Sequence, residues 1–307
     1  MDIHEYQAKK ILSGVLLIAA LYSIVWLILS NVGQWVIKSM NGGTDHFQLD
    51  YTQLKVSDFP SSLKFTLSDV ELVFPQDTGK TTLQTPELVV IVSPWSPLMF
   101  EIQTSSGVDY QLKYDDFHAD FNVANFQGKL DSLRAIADIS LLGGINIDAV
   151  EIDVAGLKPP LDLAAPYHKV DKFSLNLGFN SGLPSALTIA DLQAWRQDGG
   201  SVETFSLSVN YGDLNLVSSG SLELDEQLRL AGDATVEVVG FMSFAEMLGK
   251  SGLYTEVDVI RLKEVLTLLV RNEDSSEPSI HMLISVEHDA VYLGHLPVVR
   301  IPYLSWL

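Results

Sequence analysis

The chain has a continuous apolar segment near its N-terminus, and most of the remaining sequence alternates between apolar and polar residues. No charged residue lies between positions 11 and 29. At about 1.5 Å per residue, a helix of this length nearly crosses the ~30 Å hydrocarbon core of a bilayer. We therefore predict a transmembrane anchor over residues 11–37, preceded by a cytoplasmic N-terminus over residues 1–10 and followed by a linker over residues 38–46.

A cleaved signal peptide is the alternative interpretation of this segment. Its apolar region usually has about 7–15 residues and ends at small residues of the Ala-x-Ala type. The run here is longer, and residues 30–40 offer no convincing site of this kind. We expect an uncleaved anchor, and the residues expected to define it are Lys9, Lys10, Leu16, Leu17, Leu21, Trp26 and Trp35.

The charges beside the anchor predict its orientation. Lys9 and Lys10 directly precede the apolar segment, whereas Lys38 stands alone after it. Positively charged flanks stay in the cytoplasm, and the indoles of Trp26 and Trp35 suit the outer headgroup region. The expected location is therefore a bacterial inner membrane, crossed once, with residues 47–307 folded in the periplasm.

Alternation with a period of two, which puts apolar side chains on one face of a strand, dominates the rest of the chain. It is plainest over residues 108–114, 117–123, 173–179 and 205–211. The phase slips between residues 51 and 54 and between residues 149 and 150, as it does at a bulge that bends a strand. Residues 88–92 are apolar throughout, which is typical of a strand covered on both faces.

Further along, residues 220–238 contain three short alternating runs separated by turn-like breaks at residues 225–227 and 232–233, which predicts an antiparallel meander. Thr255 and Asp258 resemble a capping box before apolar residues at helical spacing, so a helix is predicted to end near Asn272. A shorter helix is predicted over residues 241–250. The predicted fold class is mainly β (α+β), with an N-terminal transmembrane helix, then a long curved antiparallel sheet with one or two helices near the C-terminus.

Composition excludes several classes of function. The formal net charge is −20 and there is no cysteine. Such an acidic body repels phosphate backbones over a Debye length of about 8–10 Å, so nucleic acid is not an expected partner. Without cysteine, the chain can form neither a disulfide framework nor a thiolate metal site.

Asp116, His118 and Asp120 share one face of a predicted strand, with about 6.6 Å between successive α-carbons. Further ligands from a neighbouring strand would make this a cation site, but a solvated outer face is the simpler interpretation. Neither a Gly-x-Ser-x-Gly elbow nor a His-Glu-x-x-His zinc helix occurs in the chain. We predict no catalytic residue, no metal and no cofactor.

The apolar strand faces allow two interpretations. They are either a filled core or a groove lined for acyl chains, and periodicity does not separate the two. The candidate groove residues are Tyr110, Leu112, Phe117, Phe121, Phe173, Leu175, Phe205 and Leu207.

Three segments carry a resemblance to a known group of proteins. They are Phe59 and Pro60 before LKFTL, PELVVIVSPWSP around Trp95, and AVYLGHLPVVRIPYL near the end. Over residues 47–304 the chain resembles a loosely defined family of single-anchor Gram-negative proteins related to the AsmA-like superfamily. The resemblance implies a β-rich periplasmic body, long curved sheets that form apolar grooves, and a role in envelope maintenance and lipid traffic.

The leading hypothesis is a non-enzymatic, membrane-anchored periplasmic protein that binds or passes lipid acyl chains. The second hypothesis is a structural or interaction subunit that pairs with another envelope protein through its acidic surface or a sheet edge. An enzyme would require the face of residues 116–120, or a dispersed pair of carboxylates, to converge in a cleft.

Overall fold

The protein is described by a computed structural model over residues 3–41, 48–76, 79–104, 106–114, 125–140, 146–158, 166–184, 188–250, 256–270, 278–288, 290–293 and 296–300. Within these ranges the chain forms four helices and sixteen strands, and the strands belong to one sheet.

The first element is a single long helix, α1 (Ile3–Met40), of 38 residues. Its length is about 57 Å at the usual rise per residue. The segment Leu16–Met40 is long and apolar enough to cross a membrane, a property that a signal sequence near the N-terminus shares. The predicted N-terminal apolar helix is therefore confirmed, and it continues to Met40 through the first residues assigned to a linker.

The strands that come after α1 have lengths from 3 to 15 residues. They are β1 (Gln48–Asp50), β2 (Gln53–Ser57), β3 (Leu63–Gln76), β4 (Gly79–Ser93), β5 (Ser96–Thr104), β6 (Val108–Tyr114), β7 (Asn125–Leu130), β8 (Ser132–Ser140), β9 (Asn146–Leu157), β10 (Val170–Pro184), β11 (Val202–Tyr211), β12 (Leu214–Leu224), β13 (Leu230–Val239), β14 (Ser279–Glu287), β15 (Ala290–Leu293) and β16 (Leu296–Arg300).

The sheet is an antiparallel meander in the order β1-β3-β4-β5-β8-β9-β10-β11-β12-β13-β14-β15-β16. β1 and β2 pair in succession with the same edge of β3. In the same way, β5 and β6 together pair with β4, and β7 and β8 together pair with β6 and β5. The thirteen strand positions on this path extend over roughly 58 Å at about 4.8 Å per step. The predicted single large antiparallel sheet is confirmed.

Three of the four predicted alternating strands are present, as β6, β10 and β11, whereas residues 117–123 lie outside the described residues. Both predicted phase slips coincide with irregularities. Residues 51 and 52 separate β1 from β2, and the β8–β9 register shifts between Asp138 and Ile139, opposite Asp148. Leu88, Val89 and Val92 of β4 are buried, so side chains on both faces of this strand are covered.

The predicted division of residues 220–238 into three runs is wrong in one detail. Only the break at residues 225–229 is a turn, and Gly232 and Asp233 lie inside β13, paired with Leu222 and Ser221. Gly232 has a φ of +145°, and a Cβ there would overlap the Ser221 carbonyl oxygen. Glycine therefore serves close strand pairing at this position, which the sequence pattern does not distinguish from a turn.

Three helices follow α1: α2 (Ile189–Gln197), α3 (Phe241–Lys250) and α4 (Glu256–Leu269). The last two confirm the predicted pair. α2 was not predicted, because only Leu192 and Trp195 of its residues are buried and so few apolar positions set no clear period. Its N-cap, where the Thr188 hydroxyl accepts from the Asp191 amide at 3.2 Å, is the sequence signal that marks it.

Candidate functional site on the apolar face of the sheet

Strand register gathers apolar side chains on one face of the central strands. Leu175 of β10 lies opposite Ile152 of β9 and Leu207 of β11. Because alternate residues of a strand point to the same face, the neighbours two positions along each strand join the same surface. We call this surface the central strip; it consists of Leu133, Ala135, Ala137, Val150, Ile152, Val154, Phe173, Leu175, Leu177, Phe205, Leu207 and Val209.

The same face stays apolar on both sides of the central strip. Toward β3, Ala135 pairs with Ile102, which pairs with Val90, which pairs with Phe65. Toward β14, the row continues from Leu207 through Ser218, Val236 and Met282. A mainly apolar surface, interrupted by Ser218, therefore runs along most of the sheet.

Helices pack on this face at its flanks. α1 contributes Ile37 to a buried cluster with Leu63, Phe65 and Leu67 of β3. At one end of the strands, Leu192 and Trp195 of α2 pack with Phe179, Leu183 and Leu224; at the other end, Met247 and Phe244 of α3 pack with Tyr167, Tyr211 and Leu214. α4 packs on α3 and β14. Among the described helices, none has its main packing on β8, β9 or β11.

Burial along the face follows the positions of the helices. Leu63, Phe65 and Leu67, next to α1, are at most 2% exposed, and Leu192 of α2 is fully buried. Each side chain of the central strip is instead of intermediate burial. Within the described residues, the strip is therefore shielded by its own neighbours and has no helix packed over it.

The opposite face of the same strands is charged and hydrogen-bonded. Arg134 Nε donates to Glu101 Oε1 at 2.7 Å, and the Arg134 guanidinium also lies 3.2 Å from Glu151 and 3.5 Å from Asp153. The Ser174 hydroxyl donates to Asp153 Oδ1 at 2.5 Å. That hydrogen bond lowers the pKa of Asp153, and the hydrogen bond to Glu101 raises the pKa of Arg134. The two faces of the sheet thus differ in chemistry.

The structure brings four of the eight candidate groove residues together, namely Phe173, Leu175, Phe205 and Leu207. Tyr110 is buried in another cluster, with Val108 and Leu130, and its hydroxyl donates to the Lys158 carbonyl at 2.7 Å. Burial also raises the pKa of Tyr110.

Leu112 pairs with Phe126 through the backbone, while Phe117 and Phe121 lie outside the described residues. Sequence reasoning missed the strip residues of β8 and β9. The signal that would have found them is the alternation of residues 133–137 and 150–154.

A polar cavity of about 440 Å³ lies beside Tyr110, lined also by Asp109, Lys129 and Lys158. Lys129 Nζ is 3.7 Å from Asp109 Oδ1 on an exposed surface. Mixed charges of this kind suit water or ions and not an acyl chain, so the cavity is chemically distinct from the central strip.

No group of three or more His, Asp or Glu residues suited to a metal ion occurs in the described part of the chain. The candidate cation residues Asp116, His118 and Asp120 lie outside it.

The predicted anchor residues divide into two groups. Leu16, Leu17, Leu21 and Trp35 are more than half exposed on α1. Trp26 is partly buried, and its ring lies 5.0 Å from that of Phe59. Lys9 and Lys10 lie in the first turns of α1.

In the part of the chain that the structure describes, the fold and this face define a β-sheet protein with one candidate membrane helix and an apolar surface that no described helix covers. Residues 132–302 match the family described as "Uncharacterized protein conserved in bacteria (DUF2125)". This match covers more than half of the chain, which therefore belongs to that bacterial family. The matched region begins at the first residue of β8, so it contains the whole central strip. No curated protein and no solved structure matches the chain.

Proposed function

We propose that the protein is a non-enzymatic, membrane-anchored protein of the bacterial periplasm that binds lipid acyl chains on the central strip. The observation that carries this proposal is an apolar surface over β8–β11 that the described helices flank without covering. A role in envelope maintenance, as in the AsmA-like superfamily, agrees with this surface and with the family's occurrence in bacteria.

The dimensions of the strip suit an acyl chain. Its four strands extend over about 14 Å across the sheet, and five residues of one strand over about 13 Å. Each methylene group removed from water contributes about 0.8 kcal/mol. A chain that buries about ten methylenes therefore gains roughly 8 kcal/mol before the entropy of ordering is subtracted.

The proposed location follows from α1. Its apolar segment provides the single membrane crossing, and Lys9 and Lys10 before that segment favour a cytoplasmic N-terminus. The sheet then lies on the periplasmic side, where lipid molecules move between membranes.

Photocrosslinking tests the proposed lipid site. Benzoylphenylalanine placed at Phe173 or Phe205 in the full chain is expected to form adducts with lipid in cells, identified by mass spectrometry of the purified protein. Asn176 is the matched control, since it lies on β10 but on the opposite, exposed face. Absence of lipid adducts at both strip positions, or equal adducts at Asn176, contradicts the proposal.

Substitution gives a second test of the same surface. Leu175→Gln puts an amide into the apolar contact, at a cost of about 1–3 kcal/mol. The affinity for a fluorescent fatty acid is expected to fall about 5- to 150-fold. Asn176→Gln, on the other face, is expected to leave this affinity unchanged, and an equal effect of both substitutions refutes a specific acyl site.

A second candidate function is that of an interaction subunit. It is favoured by the open form of the sheet, whose path ends at β1 on one side and at β16 on the other within the described residues. An exposed edge can pair with a strand of another protein. Photocrosslinkers at Gln53 of β2 are expected to capture an envelope protein in intact cells under this hypothesis, and their failure to do so removes it.

A further inference from the structure

From Tyr22 onward, one side of α1 packs against the sheet and the loops that connect its strands. The Tyr22 hydroxyl donates to the Pro60 carbonyl, and Trp26 Nε1 donates to the Ser62 carbonyl at 3.4 Å. The Tyr22 ring also stacks on Trp95 with 5.2 Å between centroids. The contact between α1 and the sheet is therefore not limited to the C-terminal end of the helix but extends along it for several turns.

Phe59 and Trp95, which contact α1, and the nearby Leu98 and Met99 are apolar and exposed. Phe59 precedes β3, Trp95 lies in the β4–β5 turn, and Leu98 and Met99 lie near the start of β5. We call these four residues the loop patch. Trp95 is 78% exposed and Phe59 is 52% exposed, although both rings contact the helix. A cluster of large exposed apolar side chains of this kind marks an interaction surface.

The loop patch is continuous with the apolar surface of α1. Leu21, Ile24, Val25 and Ile28 are also about half exposed on the turns of the helix that carry Tyr22 and Trp26. The helix has no charged residue between positions 11 and 37, and residues 94–100 have none either. These two segments are thus uncharged on a chain whose net charge is −20, whereas Asp58, next to Phe59 in the chain, is an exposed carboxylate.

Several polar backbone groups of the loop over residues 58–62 have hydrogen-bond partners. Tyr22 and Trp26 occupy the carbonyls of Pro60 and Ser62, and the amides of Ser61 and Ser62 donate to the Asp58 carbonyl at 3.1 Å. Prolines at positions 60, 94 and 97 have no amide hydrogen to satisfy. Non-helical backbone is tolerated at hydrocarbon depth only where it is buried in protein, so these exposed loops suit the boundary between headgroups and acyl chains.

The distance along α1 gives the depth of the loops. Tyr22 lies about 18 Å beyond Lys10 on the helix axis. If the lysines mark the cytoplasmic boundary, Tyr22 lies in the outer half of the ~30 Å hydrocarbon thickness, so the loops that it contacts face the outer leaflet. Tryptophan and tyrosine are enriched at membrane–water interfaces.

We propose that the loop patch inserts into the outer leaflet of the membrane that α1 crosses. The sheet is then in direct contact with the bilayer and is not joined to it through a flexible linker alone. This inference rests on the proposed membrane anchor. Its occupant is the acyl and headgroup boundary of zwitterionic lipid, because the patch carries no charge to attract an anionic one. Leu63, Phe65 and Phe100 of the apolar face then lie next to the leaflet from which the central strip would receive acyl chains.

Spin-label depth measurement tests the seating of the domain. The chain has no cysteine, so single-cysteine variants of the full protein can be labelled with a nitroxide and reconstituted in phosphatidylcholine nanodiscs. The positions are Trp95→Cys and Leu98→Cys in the loop patch, Leu17→Cys in the anchor and Phe74→Cys as the control. Phe74 is exposed on β3, about 36 Å along that strand from Leu63.

Labels at Trp95 and Leu98 are expected to collide more often with oxygen than with a polar nickel chelate, as at Leu17, whereas Phe74 shows the reverse. The use of Leu98 keeps the test valid if loss of the Trp95 ring disturbs the turn. Preference for nickel at both patch positions, with oxygen preferred at Leu17, overturns the seating while the anchor stands. Preference for nickel at Leu17 as well overturns the anchor and, with it, both proposals.

Discussion

Replacing Gly33 by alanine is expected to weaken the packing of α1 on the sheet. A Cβ at this position would overlap the far end of the Phe65 ring. That ring cannot easily move, because Phe65 is 2% exposed in a cluster with Leu63, Leu67 and Ile37. Glycine is therefore required here by the close approach of helix and strand, although it lowers helix propensity.

The magnitude follows from two opposing effects. Overpacking of a well-filled core costs about 1–3 kcal/mol. Alanine in place of glycine within a helix restores about 0.5–1 kcal/mol. The two effects together span a loss of about 0–2.5 kcal/mol, and the expectation for Gly33→Ala is the middle of that range, a loss of about 1 kcal/mol in the free energy of unfolding. A smaller side chain at position 65 removes most of the overlap.

Urea unfolding of the full chain in mild detergent, followed by the circular dichroism of the sheet, measures this loss. Val32→Ala is the matched control, since Val32 is the adjacent residue and is 52% exposed. The loss of unfolding free energy in the double variant Gly33→Ala with Phe65→Leu is expected to be about 1 kcal/mol smaller than the sum of the losses in the two single variants. Unchanged stability of Gly33→Ala, or additive losses in the double variant, refutes the steric explanation.

Two further predictions concern the polar side of the sheet. Ser174→Ala removes the hydrogen bond that lowers the pKa of Asp153, with an expected loss of about 1 kcal/mol. Because the pKa of Asp153 is lowered in the folded state, the full destabilisation is expected at any pH above the unfolded pKa of about 3.9, and it disappears as the pH falls through the folded pKa. Unfolding measured at pH 7 and at pH 3 checks this prediction, and an equal loss of stability at both pH values contradicts it. Asp225→Ala removes the acceptor for the Gln227 and Arg229 amides at 2.8 and 2.9 Å, so the β12–β13 turn is expected to lose about 1–3 kcal/mol, which thermal unfolding measures against a smaller loss for Asp225→Asn.

Local pattern was sufficient for most individual elements. Alternation identified β6, β10 and β11, helical spacing with a capping signal identified α4, and a shorter helix was predicted at the position of α3. These signals are visible because each element needs one continuous apolar face, and that need acts over a few residues. α2 was not predicted from the sequence because only two of its residues are buried.

The candidate site was only half visible in the sequence. Phe173, Leu175, Phe205 and Leu207 belong to long, regular alternations, and their position opposite one another follows from adjacent pairing in a meander. Tyr110 shows the same alternation but is buried with Val108 and Leu130. Periodicity states that a side chain faces inward, and it does not state whether another element covers that face.

The amino-acid pattern alone was therefore enough to establish the class of the protein: an apolar N-terminal helix and a strand-rich acidic body without cysteine. The folded arrangement was needed to show where α1, α2 and α3 lie, and hence which part of the apolar face these helices leave uncovered and which loops meet α1 at Tyr22. The physical reason is that hydrophobic burial is non-directional and selects faces, whereas the register between distant strands and the packing of helices select the partners of those faces.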